Sequence, residues 1–116
     1  MNAVKTVADI LAGAGVDVYT KMPEFGKGDK PDVLAVISAY EITAARNDGF
    51  LAARYCYITV SVMGFSETAV DNVKESVIAL LESRRIRYSG CRYAEDELFP
   101  KEFRRDLEFV LVNSEQ

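Results

Sequence analysis

Hydrophobic and polar positions along the chain change period several times, and each change marks an element. Val4, Val7, Ala8, Leu11 and Ala14 recur at helical spacing, with Gly13 and Gly15 as the stop. Val16, Val18 and Thr20 then alternate with Asp17, Tyr19 and Lys21, the period of a strand. The segment 22–31, MPEFGKGDKP, holds two prolines, two glycines and four charges, a composition that predicts an exposed loop. From Asp32 to Thr43 the β-branched and aromatic residues Val33, Val36, Ile37, Tyr40 and Ile42 predict a second strand. It ends in AARNDG (44–49), whose Asn-Asp-Gly group favours the positive φ of a hairpin turn.

The third strand is the plainest. Between Arg54 and Met63, Cys56, Ile58, Val60 and Val62 point one way, while Tyr55, Tyr57, Thr59 and Ser61 point the other. Gly64 closes it, and Ser66 or Thr68 is placed to cap a helix whose apolar stripe is Val70, Val73, Val77, Leu80 and Leu81. Burying those five side chains is worth about 7 to 15 kcal/mol gross, most of it offset by chain entropy. Arg84, Arg85 and Arg87 follow where they complement the helix dipole. A fourth strand is predicted over Ile86 to Tyr93, an irregular segment over Ala94 to Lys101, and a fifth strand over Phe103 to Val112, where Leu107, Phe109 and Leu111 set the apolar period. The reading is one α+β domain spanning residues 1–116. It holds a mostly antiparallel sheet of about five strands in the order α-β-β-β-α-β-β, with the helices packed on one face.

Composition narrows the chemistry. The 116 residues are 49% hydrophobic and 28% charged, the balance of a globular chain. No apolar run reaches the ~20 residues of a membrane helix, and Asp9 interrupts the only N-terminal apolar stretch, so a cytoplasmic origin without membrane attachment is expected. A net charge of −4 argues against a broad grip on nucleic acid phosphates. Histidine is absent and there are two cysteines, Cys56 and Cys91, too few sulfurs for structural zinc; free thiols are expected rather than a bridge.

Without histidine a nucleophile would need a carboxylate, lysine or tyrosine as its base, and no such pairing is signalled. Gly26-Lys27-Gly28 has phosphate-loop letters but neither the flanking pattern nor a helix directly after it. Glu95, Asp96 and Glu97 form a carboxylate cluster that either binds a hard cation or is simply solvated. Tyr55 and Tyr57, with Tyr40 beside them, are either a stacking platform for single-stranded nucleic acid or a sheet face covered by a partner. Eight arginines, against six lysines, favour interfaces. The expectation is a binding or assembly protein, not an enzyme, with no cofactor and no metal.

The element order and four phrases resemble the tail-completion, or tail-terminator, proteins of long-tailed bacteriophages and prophages, and related head–tail joining proteins. The phrases are VDVYTKMPEF, RYCYITVSVMGFSET, AVDNVKESVIALLES and IRYSGCRYAEDELFPKEFRRDLEFVLV, which together span nearly the whole chain. Within them stand Tyr57-Ile58-Thr59-Val60 and Arg104-Arg105-Asp106-Leu107-Glu108-Phe109, which match the family's central and late strands. The resemblance implies a subunit of a sixfold ring that stops growth of the tail tube and meets the connector. Such a subunit is made in the bacterial cytoplasm and ends in the virion, with DNA only in transit through the ring. It implies no catalytic residues, and it places ring contacts in the loops and sheet edges at 22–31, 44–49 and 94–101. Phe25, Lys27, Arg46, Tyr55, Tyr57, Glu95, Asp96, Glu97 and Phe99 are the candidate contact residues.

Overall fold

The computed structural model describes residues 3–21, 32–45, 51–95 and 103–113, with the backbone alone at 42–45, 51–54, 93–95 and 112–113. Helix α1 (Ala3–Leu11) tightens into a 3-10 turn over Ala12–Ala14 and stops at Gly15, whose φ of 73° a residue with a Cβ rarely adopts. Strands β1 (Asp17–Tyr19), β2 (Val33–Ala45) and β3 (Leu51–Gly64) follow, then α2 (Glu67–Ser83), β4 (Arg87–Glu95) and β5 (Phe103–Asn113). The predicted element order is the observed one, and the fold is α+β.

The sheet runs β1-β2-β3-β5-β4, with β1 parallel to β2 and every other pair antiparallel. Inserting β5 between β3 and β4 puts the two longest apolar alternations side by side. Ile58 sits opposite Ala39 and Phe109, and Val60 opposite Ile37 and Leu107. Val7 and Leu11 from α1 and Val70, Val77 and Leu81 from α2 close over this face, so both helices share one core with one side of the sheet.

Local chemistry fixes the ends of α2. Of the two candidate caps, Ser66 is used: its Oγ accepts from the Ala69 amide at 3.3 Å, and Glu67 stands in the first turn. At the other end the arginines lie beyond the last turn. Arg84 is the capping residue and Arg85 takes the left-handed conformation, φ 64°, that lets the Arg85 and Ile86 amides donate to the Glu82 and Leu81 carbonyls, each at 3.0 Å. Buried Ile86 packs with Leu81 in the same core, so tertiary burial holds the cap that a glycine would adopt without strain.

Several predicted boundaries shift: Ala44 and Ala45, expected in the turn, continue β2, and β3 begins at Leu51 rather than Arg54, because the two strands go on pairing with each other. The first strand is shorter than Val16–Lys21, because only Asp17–Tyr19 pair with Leu34–Val36. The fourth continues through Ala94 and Glu95, which the sequence reading had assigned to an irregular segment. Both pair with β5, opposite Arg104 and Phe103, and that pairing outweighs their low strand propensity. Gly64 is required by crowding, since a Cβ there would collide with the Asp32 carbonyl oxygen and crowd Val70 and Val33.

Beyond the row Glu41–Cys56–Leu111, the β2–β3 pair continues to Ala45 and Leu51 as a ribbon that no described helix covers. Four residues at ~3.4 Å each carry it about 14 Å past the core. The molecule is accordingly long, 55 × 27 × 22 Å, with a radius of gyration of 15.7 Å against the roughly 13.4 Å of a compact chain this size.

Candidate assembly surface

The face of the sheet turned away from both helices is built by the residues that alternate with the core. Its rows, read across β2, β3 and β5, are Leu34–Met63–Arg104, Val36–Ser61–Asp106, Ser38–Thr59–Glu108 and Tyr40–Tyr57–Val110. Exposure rises along it. Leu34 is fully buried and Met63 is 3% exposed, whereas Tyr40 at the base of the ribbon is 61% exposed.

Tyr40 and Tyr57 are directly opposite each other and stack, with ring centroids 5.2 Å apart and planes 20° apart. Tyr55 continues the same face one row further, opposite Ile42 and Val112. The sequence placed Tyr55 and Tyr57 on this face with Tyr40 beside them, and in the structure Tyr40 and Tyr57 form a stacked pair. Next to the aromatic rows the face is charged and locally neutralised. Arg92 meets Glu108 at 2.8 Å, and the Arg104 Nε donates to Asp106 Oδ1 at 2.8 Å.

The other candidates are not gathered there. Glu95 ends β4, at the sheet end opposite Phe103. Phe25, Lys27, Arg46, Asp96, Glu97 and Phe99 lie outside the described residues, as do residues 22–31 and 46–50. Among the described residues no three acidic, cysteine or histidine side chains are placed to share a metal ion.

Sequence reasoning missed Phe65 and Phe103, which are 56% and 37% exposed at the sheet end where α2 begins. Each is a single aromatic next to a strand terminus, and nothing in the period of the pattern distinguishes an end residue from a core one. It also missed the burial of Arg105. This side chain lies on the helix side, 8% exposed, with its Nε 3.0 Å from Asp71 Oδ1 and its Nη2 3.6 Å from Glu67 Oε1.

The thiols are free and far from each other in the sheet: Cys56 is opposite Leu111, and Cys91 opposite Leu107. Burial pushes the Cys56 thiol up, with the Glu41 carboxylate adding to the effect. Burial also raises Cys91 and its neighbour Tyr88, whose ring tilts against Phe109 at 5.5 Å. Raised thiols are poor nucleophiles near neutral pH, so neither cysteine has the environment of a reactive one. A shallow depression lined by Glu82, Arg85, Ile86 and Arg87 lies at the end of α2 and lacks a nucleophile beside a base. No helix among the described residues is long and apolar enough to cross a membrane.

No protein-family model matches the chain, and no curated protein does. The architecture, however, is found elsewhere. A virion chain shares this fold. It comes from the virion of a native gene transfer agent (GTA) particle and superposes with a TM-score of 0.64, covering 97% of this chain and 92% of that one at 16% identity. The likeness takes in both helices and all five strands rather than one motif, and at that identity it is a likeness of fold.

Proposed function

We propose that this chain is a structural subunit of a phage-like virion, that it associates with copies of itself into a ring, and that the ring terminates the tail tube and docks on the head–tail connector. The observation that carries the reading is the whole-length match to a chain of a gene transfer agent virion. Supporting it are the exposed Tyr40–Tyr57 stack and the ribbon standing clear of the core, features that lend themselves to contacts with neighbouring subunits. The product is made in the bacterial cytoplasm and resides in the virion, where DNA passes without being held. It works through surfaces rather than through a catalytic group or cofactor.

Light scattering and negative-stain imaging of the purified protein, alone and with tail tubes added, test this. Rings and capped tube ends are expected. Monomers alone together with uncapped tubes in the mixture would overturn it.

A single-stranded nucleic acid platform on the tyrosine face is the competing reading, and the neighbouring charges disfavour it. Glu108 and Asp106 stand on the same face and neutralise Arg92 and Arg104, so the face is not the positive groove that tracks a phosphate backbone. Fluorescence anisotropy with a short labelled strand is expected to show no salt-sensitive binding. Binding that Tyr57→Ala weakens would favour the platform instead.

A further inference from the structure

The two sides of the sheet end differently. Along β2, the short β1 pairs only with Leu34–Val36, and from Ile37 to Ala45 no described strand lies on the outer side. This open stretch has no proline, and its one charged residue is Glu41. Natural edges are usually blunted by lysine, proline or shortness, and this one is long and almost uncharged. Its outer half also belongs to the extension beyond the core, which narrows to two strands at Ala44 and Ala45, and a two-stranded ribbon is marginal in water by itself.

The opposite side ends in β4, nine residues long, bulged between Tyr88 and Gly90 and regular from Gly90 to Glu95. It carries Arg87, Arg92 and Glu95, a net positive charge of one against the single acidic charge of the β2 edge. Because β2, β3, β5 and β4 alternate in direction along the sheet, β2 and β4 run antiparallel to each other. A neighbour placed in the same orientation therefore brings its β4 against this β2 in the antiparallel sense, the more stable of the two pairings.

We infer that the outer edge of β2 over Ile37–Thr43 receives the Gly90–Glu95 edge of β4 from a second copy of this chain, continuing the sheet from subunit to subunit. The inference rests on the proposed ring and specifies how it is built. The two edges lie on opposite sides of one subunit, so the contact is head to tail and repeats around a closed ring rather than ending at a dimer.

Cysteine scanning tests it. In a Cys56→Ser, Cys91→Ser background, Arg92→Cys is combined in turn with Ser38→Cys, Tyr40→Cys and Ile42→Cys, three positions two residues apart that span the possible registers. Within one chain β2 and β4 are three strand spacings apart, about 14 Å, and a disulfide needs Cα atoms within about 7 Å. Any bridge between them joins two copies. Mild oxidation is expected to give a ladder of linked multimers from one of the three pairs, and monomers from each single-cysteine variant.

Dimers from a β2 cysteine alone would show β2 pairing with itself and overturn the inference. Hydrogen exchange on the unmodified protein gives the second measure: the outward amides of Ile37–Thr43 are expected to slow at least about tenfold as oligomers form. Rings seen by imaging without cross-links and without this protection would overturn the edge pairing and leave the ring. Absence of any oligomer, even on tail tubes, would overturn both.

Discussion

The Arg105 guanidinium, held on the helix side of the sheet, donates from Nε to Asp71 Oδ1 at 3.0 Å and so ties β5 to the first turns of α2. Its Nη1 also donates to the Arg104 carbonyl at 3.2 Å. Arg105 is 8% exposed, while the Asp71 side chain is 39% exposed. The two ends of the pair are therefore unequal. Truncating Arg105 leaves a carboxylate that water can reach, so Arg105→Ala is expected to cost about 1 to 3 kcal/mol, below the range for a fully buried pair. Asp71→Ala leaves the buried cation with Glu67 and the Arg104 carbonyl, so its cost should fall within the same range. Urea unfolding of both variants and the double variant measures the coupling, and additive losses would show that the pair contributes nothing of its own.

Arg85 at φ 64° occupies a conformation that costs an L-residue about 1 kcal/mol or more. Arg85→Gly relieves that strain and keeps the cap bonds from Arg85 and Ile86 to Glu82 and Leu81, which are backbone bonds. Part of the gain is returned through the more flexible unfolded chain. A net stabilisation of about 0.5 kcal/mol is expected, read as a higher thermal midpoint, and a lower midpoint would mean that the arginine side chain contributes more than its backbone costs.

Cys56, Cys91 and Tyr88 all hold their protons more tightly in the fold than their ordinary values imply, because burial disfavours the anions. Above about pH 8.5 the unfolded chain releases thiol protons that the folded chain retains. Folding then takes up protons, and stability falls as pH rises. The thermal midpoint is expected to decline from roughly pH 8.5 upward, with Tyr88 adding to the loss past about pH 10. Cys91→Ser should flatten the first part of that decline, whereas a midpoint that climbs between these values would contradict the assignment.

Tyr40 gives a different signature. Its ring is 61% exposed and its main contact is the Tyr57 stack, so Tyr40→Ala should cost less than about 1 kcal/mol of monomer stability. If the face around it joins subunits, the same substitution should sharply reduce ring formation. Unfolding curves and light scattering on one preparation separate the two effects, and unchanged assembly would remove Tyr40 from the contact.

Most elements were legible in the sequence because their causes are local. Val70, Val77 and Leu81 sit on one helical stripe, and Ile58, Val60 and Val62 follow the strand pleat, so period alone assigns both type and inward face. The tyrosines of β3 were placed on the outer face by the same alternation. The candidate contact surface was legible only to that extent. Whether Tyr40 meets Tyr57 depends on the hairpin register, and a slip of one residue would have turned one of the rings to the other face.

What the sequence determined by itself is therefore the identity, order and buried side of each element, written in residues a few positions apart. The tertiary structure decided what depends on distant neighbours. It set β5 between β3 and β4, carried β4 on to Glu95, turned Arg105 under α2 to Asp71, and left β2 with an edge beyond the reach of β1 among the described residues. Those outcomes follow from which strands come together, and that is decided by the burial of the whole apolar face at once rather than by any short stretch of chain.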